Sequence, residues 1–288
     1  MTEAPSIQWF PGHMAKTRRL MRESLRLVDI VVEVIDARIP ISSRNPDLPG
    51  LVGSKPRIVL LNKADAADDN IPRAWCEFYK EKGITAIPTD CRSGKGIKQF
   101  VPAVKEVLRP LLERRAQKGM EGAPIRMMIV GIPNVGKSSF INKVVKQNRA
   151  KVEDRPGVTR GNQWFTLDRG FELLDTPGVL WPKFDDRAVG DKLAFIGSVK
   201  DDILDVESLA VRFLEVMKND YPDRLTERYK ITDFEDKEPY EILEMIGRKR
   251  GMLISGGEIN TERAATTILD EYRAGKLGKI TLDSIPAE

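Results

Sequence analysis

The sequence predicts an α/β domain built on a parallel sheet, followed by a smaller all-helical domain. Three observations carry this: short β-branched runs alternate with helical stretches, a polar loop follows each run, and the strand signal fades beyond Trp181-Pro182. Asp29-Ile-Val-Val-Glu-Val-Ile-Asp36 is a buried strand running into Ala-Arg-Ile-Pro40. Pro56-Arg-Ile-Val-Leu-Leu61 precedes Asn62-Lys-Ala-Asp65, Gly83-Ile-Thr-Ala-Ile87 precedes Pro88-Thr-Asp-Cys91, and Ile125-Arg-Met-Met-Ile-Val130 precedes a glycine loop. Helices are expected between them over about 71–82 and 96–118, then from the glycine loop to about 146. Residues 151–160, basic and containing Gly and Pro, read as a loop, and 163–167 with 171–174 as a hairpin around Asp168-Arg-Gly170. Helical spacing returns over 204–218, 239–250 and 258–274, so the expected domains are 1–182, with an N-terminal extension, and 183–288. Strand and helix in alternation imply a parallel sheet covered on both faces, with ligands at the carboxyl ends of the strands.

Composition narrows the function classes. A chain of 288 residues with 41% hydrophobic and 31% charged residues is globular, which excludes wholesale disorder and low-complexity scaffolds. Two cysteines, Cys76 and Cys91, and a single histidine, His13, exclude a disulfide framework, a four-thiolate zinc site and a His-rich metal centre. No apolar run approaches the roughly 18 residues of a membrane span, and the first ten residues lack the charged and apolar regions of a signal peptide. A cytoplasmic protein with no membrane partner is expected. Lys plus Arg total 47 against 43 Asp plus Glu, a net +4 that is compatible with nucleic acid without requiring it.

Gly131-Ile-Pro-Asn-Val-Gly136-Lys137-Ser138 matches G-x-x-x-x-G-K-[ST] between a predicted strand and a predicted helix, where a phosphate-binding loop must sit. Its glycines let backbone amides approach phosphate oxygens, and the cradle runs through Asn134, Val135, Gly136, Lys137, Ser138 and Ser139. Lys137 neutralises the β and γ phosphates and the Ser138 hydroxyl coordinates magnesium. Asn62-Lys63-Ala64-Asp65 matches N-K-x-D, the guanine reader of Ras-like GTPases. Asp65 would accept hydrogen bonds from the base N1 and exocyclic amine, Asn62 would brace N7 and the phosphate loop, and the Lys63 stem would cover the ring. Adenine presents an acceptor at N1, so a carboxylate there rejects ATP. Alone the tetrapeptide is also a common turn sequence after a strand; beside a phosphate loop it specifies GTP and GDP.

Asp175-Thr-Pro-Gly178 matches D-x-x-G, with Asp175 holding magnesium through water and the Gly178 amide sensing the γ-phosphate. Thr159 is the threonine that would close on magnesium, or else an ordinary loop residue. Asp90-Cys91 lies where the last base-contacting loop belongs, a contact made mainly by a backbone amide to guanine O6.

The guanine reader and its partner loop precede the phosphate loop here, whereas in Ras-like proteins the phosphate loop comes first. The first domain therefore reads as a circularly permuted Ras-like P-loop GTPase, a rearrangement that keeps a fold when the new break falls in a loop. The chain resembles a circularly permuted GTPase family over nearly its whole length, including Trp9-Phe-Pro-Gly-His-Met-Ala-Lys16 and Asp36-Ala-Arg-Ile-Pro40. That resemblance implies a GTP hydrolase assisting late assembly of the large ribosomal subunit. Its partners are implied to be the large-subunit precursor and its rRNA, the latter through the helical domain, and no stable protein partner is evident. It also implies that His13 supplies the water-orienting group, because Val179, which follows D-x-x-G, offers no polar atom; a surface or RNA-contacting histidine is the alternative. The catalytic set is then His13, Lys137 and Thr159. Asn134 matches an asparagine that helps hold potassium in related enzymes, or else shapes the loop.

Basic residues cluster around His13 to Arg26, over 143–160 and at Arg248-Lys-Arg250, as phosphate contacts or solvated faces. Trp9 and Phe10 would stack on bases or pack in the core. Two other function classes fit the same motifs: a signalling or tRNA-modifying GTPase, and a nucleotide-gated RNA-binding module with negligible hydrolysis.

Overall fold

The structure, a computed structural model, describes residues 19, 21–147, 151–153, 163–167, 170–176, 186–199, 201 and 205–286. They fall into two compact units. One takes the chain up to 185 and again from Thr281, and the other spans Asp186–Ile280.

The first unit carries a 7-stranded sheet. Its strands are β1 (Ile30–Asp36), β2 (Arg57–Asn62), β3 (Thr85–Pro88), β4 (Ile125–Val130), β5 (Lys151–Glu153), β6 (Gln163–Leu167) and β7 (Phe171–Asp175), ordered β3-β2-β1-β4-β7-β6-β5. The first five in that order run parallel, and β6 and β5 are added antiparallel. Every residue of β1 is buried, because a central parallel strand is covered on both faces, and its sequence accordingly runs apolar without alternation. Helix α1 (Leu48–Val52) follows β1, and α2 (Ile71–Glu81) joins β2 to β3. Trp75 and Tyr79 lie one turn apart on α2 and pack with Ile35, Val59 and Leu61. Each ring so buried contributes about 2–3 kcal/mol.

The helix expected over 96–118 is instead a 3-10 turn (Ile97–Gln99), α3 (Phe100–Val107) and α4 (Arg109–Gln117). Pro110 is the cause: it has no N–H for the carbonyl four residues back, and its ring crowds that turn, so the chain restarts at Leu108. Helix α5 (Lys137–Gln147) follows β4, and Phe140 on it meets Phe100 of α3 edge-on at 4.9 Å. Lys151–Glu153, expected within a loop, is a short strand, because the outer edge of β6 offers its unpaired backbone groups to an extended neighbour. The hairpin of β6 and β7 is as expected.

The second unit is helical: α6 (Arg187–Phe195), α7 (Val206–Asp220), α8 (Pro222–Tyr229), α9 (Pro239–Lys249) and α10 (Thr261–Arg273). Asp186, Asp205 and Asn260 cap three of them by accepting from amides of the first turn. Leu209, Phe213 and Met217 of α7 and Ala265, Ile268 and Tyr272 of α10 are buried at helical spacing, and Phe213 lies 4.8 Å from the Tyr272 ring. Sequence spacing anticipates α7, α9 and α10 but not α6 or α8.

The boundary expected near Pro182 lies outside the described residues. The second unit ends earlier than the expected 288, since the chain from Thr281 belongs to the first unit. Thr281, Leu282 and Asp283 find their hydrogen-bond partners there, on Asp68, Arg38 and Ile41-Ser42. Among the described residues no helix is long and apolar enough to cross a membrane.

Candidate functional site

Parallel strands end together, and the register of this sheet brings the motif loops to one edge. Asp36 is opposite Asn62, Leu61 opposite Pro88, and Ile129 opposite Asp175. The Asn62–Asp65 turn, the 89–95 loop, the Gly131–Ser138 loop and the start of D-x-x-G therefore leave the sheet side by side.

The phosphate loop is shaped by two glycines. Gly131 has φ 153°, and a Cβ there would stand 2.4 Å from the Val34 carbonyl oxygen; Gly136 has φ 102°, and a Cβ would stand 2.2 Å from Asn62 Nδ2. Between them Asn134 takes a left-handed conformation, φ 62°, which asparagine tolerates better than most residues. Val135 is buried, and Ser138 and Ser139 are exposed on the first turn of α5. The Lys137 arm is buried and folded onto its own loop, with Nζ donating to the carbonyls of Gly131 (2.9 Å) and Ile132 (2.8 Å). Burial pushes its pKa down to about 8, against the pull of Asp175. Burial likewise raises Asp175, with Lys137 opposing. The next residue, Thr176, donates its hydroxyl to the Ile129 carbonyl (2.6 Å), which fixes the entry to D-x-x-G against β4.

Asn62 joins three loops. Its Nδ2 donates to the Val135 carbonyl at 2.7 Å, and its Oδ1 accepts from the Cys91 amide at 3.0 Å. Lys63, with φ 58°, donates Nζ to the Asn134 carbonyl (2.9 Å) and pairs with Asp36 (2.9 Å). The Ala64 amide donates to the Thr89 carbonyl at 3.1 Å. The Asp90 carboxylate accepts from the amides of Arg92 (2.8 Å) and Ser93 (3.2 Å), so it shapes its own loop, and the Cys91 amide is engaged by Asn62. Burial opposes the Asp90 charge, but these amides and the Ser93 hydroxyl hold its pKa below the ordinary value. Asp65 pairs with Arg92 at 3.3 Å. The arginine side chain is 80% exposed, so the pair is weak.

One group escaped sequence reasoning. Asp36, fully buried, accepts from Arg38 Nε (2.9 Å) and Nη2 (2.8 Å) as well as from Lys63. An acidic residue ending an apolar strand two positions before an arginine was the available signal. His13, Thr159, Gly178 and Val179 lie outside the described residues.

Asp65→Asn replaces an acceptor by a donor and is expected to weaken GTP binding by the cost of mispaired polar groups, on the order of 1–3 kcal/mol, while improving xanthosine nucleotide binding. Titration with both nucleotides checks this; equal GTP affinity in wild type and variant would remove Asp65 from base reading.

Comparison with known proteins agrees with the geometry. Residues 126–246 match the family of 50S ribosome-binding GTPases. The match starts at β4 and leaves the guanine loops on its N-terminal side. Ribosome biogenesis GTPase A of Bacillus cereus is 47% identical, over 96% of this chain and 94% of its own. Mitochondrial ribosome-associated GTPase 1 of Mus musculus is 36% identical, over 97% and 91%. The GNP-bound crystal structure of YlqF from Thermotoga maritima superposes with a TM-score of 0.63 at 30% identity, covering 93% of this chain and 97% of that one. Fold, loops and matches define a circularly permuted P-loop GTPase, which binds guanine nucleotides and hydrolyses GTP. The chain belongs to the ribosome biogenesis GTPase A family.

Proposed function

We propose that this GTPase acts in the cytoplasm on maturing large ribosomal subunits and promotes a late step of their assembly, using GTP hydrolysis to time its release. The single observation that supports this reading is the convergence of all three described nucleotide loops on one sheet edge, in a chain that shares 47% identity with a ribosome biogenesis GTPase along 96% of its length. In this reading Asp65 selects guanine, Asn62 and Lys63 brace it against the phosphate loop, and Lys137 leaves the loop carbonyls for the β and γ phosphates. The helical unit supplies RNA contacts, with Arg248-Lys-Arg250 at the end of α9 among them.

Magnesium fits the donors present. Ser138 offers an exposed hydroxyl and Asp175 a half-buried carboxylate, hard oxygen ligands of the kind magnesium takes together with phosphates and water. Among the described residues no group of three or more His, Cys, Asp or Glu side chains is placed to hold a metal. When bound, magnesium neutralises charge developing on the phosphates. Thr159 is the further ligand in this reading, Gly178 the γ-phosphate sensor, and Asn134 a ligand for potassium.

Phosphate release measured with and without large-subunit particles, together with co-sedimentation across a salt series, tests the proposal. Stimulation by the particles supports it; hydrolysis indifferent to them overturns it. His13 is assigned to orienting the attacking water, since Val179 cannot. His13→Ala is then expected to leave GTP affinity nearly unchanged and to reduce particle-stimulated single-turnover hydrolysis about 10²-fold. A variant that binds the particle and keeps full stimulated hydrolysis takes His13 out of this role.

A further inference from the structure

Three consecutive residues, Thr281, Leu282 and Asp283, make six hydrogen bonds to the loops behind the guanine reader. Thr281 and Asp68 bond reciprocally: the Thr281 amide donates to the Asp68 carboxylate (3.1 Å), and the Asp68 amide donates to Thr281 Oγ1 (3.1 Å). The Leu282 amide donates to the Arg38 carbonyl at 2.8 Å. Asp283 accepts from the amides of Ile41 (2.8 Å) and Ser42 (2.7 Å) with one oxygen, and from the Ser42 hydroxyl (2.8 Å) with the other. Thr281 is 9% and Asp283 7% exposed, so these bonds are sheltered from water.

Both ends of this strap lead to the same place. Asp68 lies three residues after Asp65, just beyond the turn that the Ala66 amide closes on the Lys63 carbonyl (2.9 Å), and Ala67, between that turn and Asp68, is fully buried in the core with Ile35 and Leu61. Arg38 grips Asp36, which in turn holds Lys63. Ser42 is followed by Ser43, whose hydroxyl accepts from the Asp36 amide at 3.0 Å. The strap is thus bonded both to the chain just after the Asn62–Asp65 turn and to the loop that carries Arg38 and Ser42, next to the Asp36 anchor of Lys63.

We propose that Thr281 and Asp283 are positioning residues for guanine recognition: they hold the turn bearing Asp65 and the Asp36–Arg38 anchor of Lys63 in the geometry that reads the base. This rests on the reading of Asp65 as the guanine reader. A segment of purely structural value would leave the choice between bases untouched, because that choice depends on where the Asp65 carboxylate stands relative to the exocyclic amine.

The test uses the full chain and compares GDP with inosine diphosphate, which lacks the amine Asp65 would read. In Thr281→Val and Asp283→Ala the preference for GDP over inosine diphosphate is expected to fall about tenfold, the worth of one well-made hydrogen bond, with inosine diphosphate affinity little changed. Asp283→Asn is expected to recover most of the preference, because its amide oxygen still accepts from Ile41 and Ser42. Thr281→Val changes one buried hydroxyl to a methyl and keeps its shape, so the question stays open to measurement even where Asp283→Ala unfolds. An unchanged preference in the valine and alanine variants overturns the proposal, whatever their melting temperatures. Asp65→Asn is measured alongside with xanthosine diphosphate. If that variant keeps guanine affinity, the reading of Asp65 falls and this inference with it; if it switches base while the strap variants keep their preference, the strap inference alone falls.

Discussion

Lys137→Ala is expected to lower GTP turnover about 10²- to 10³-fold, the cost of deleting one preorganised electrostatic donor from a phosphoryl-transfer site. The fold should survive the change. The Lys137 ammonium is buried on the carbonyls of Gly131 and Ile132. Burial depresses its pKa to about 8. Removing it takes away a buried charge together with its two hydrogen bonds to loop carbonyls. Turnover measured beside thermal unfolding and circular dichroism separates the possibilities. A variant with normal turnover rules out the phosphate-loop role, and one that is unfolded shows that the two carbonyls need the lysine.

Asp36→Ala is expected to cost about 3–5 kcal/mol of folding stability, because it leaves a buried guanidinium without its counter-charge. Arg38 is only 1% exposed and meets Asp36 in a two-point fork. Burial alone would raise the Asp36 pKa, but the charges of Arg38 and Lys63 prevail and hold it well below the ordinary 3.8. A carboxylate depressed in the folded state contributes stability that is complete above its unfolded pKa and is lost as pH falls below it. The stability gap between wild type and variant should therefore be widest near neutrality and narrow as urea titrations are stepped down through pH 3.8. A gap that stays constant over that range would mean that folding does not depress the Asp36 pKa. Guanine affinity should drop too, since Lys63 loses one of its two holds.

The strands and three described loops were legible in the sequence because their signals are local. An apolar run such as Ile30–Asp36 is a strand wherever it sits, and Gly131 to Ser138 needs only its own backbone to present amides. What escaped depends on partners far away in sequence or on one residue's chemistry. Pro110 split a helix whose periodicity ran through it, and Lys151–Glu153 became a strand only because β6 lay open beside it. The role of the Asp90 side chain was not legible either: its carboxylate satisfies the amides two and three residues on, a preference any Asp in a turn can express. Residues 281–283 have no periodicity, and nothing in Thr-Leu-Asp points to Asp68 or Ser42.

Thr281 and Asp68 stand 213 positions apart. A chain is made from its N-terminus, so the sheet strands, the phosphate loop and the helical unit are all synthesised before the guanine-reading turn meets its last brace. Each such closure across a long stretch of chain is entropically slow to find, which places it late in refolding as well. A chain cut between residues 179 and 280 still carries every nucleotide motif but lacks the hydrogen bonds of residues 281–283 to Arg38, Ile41, Ser42 and Asp68.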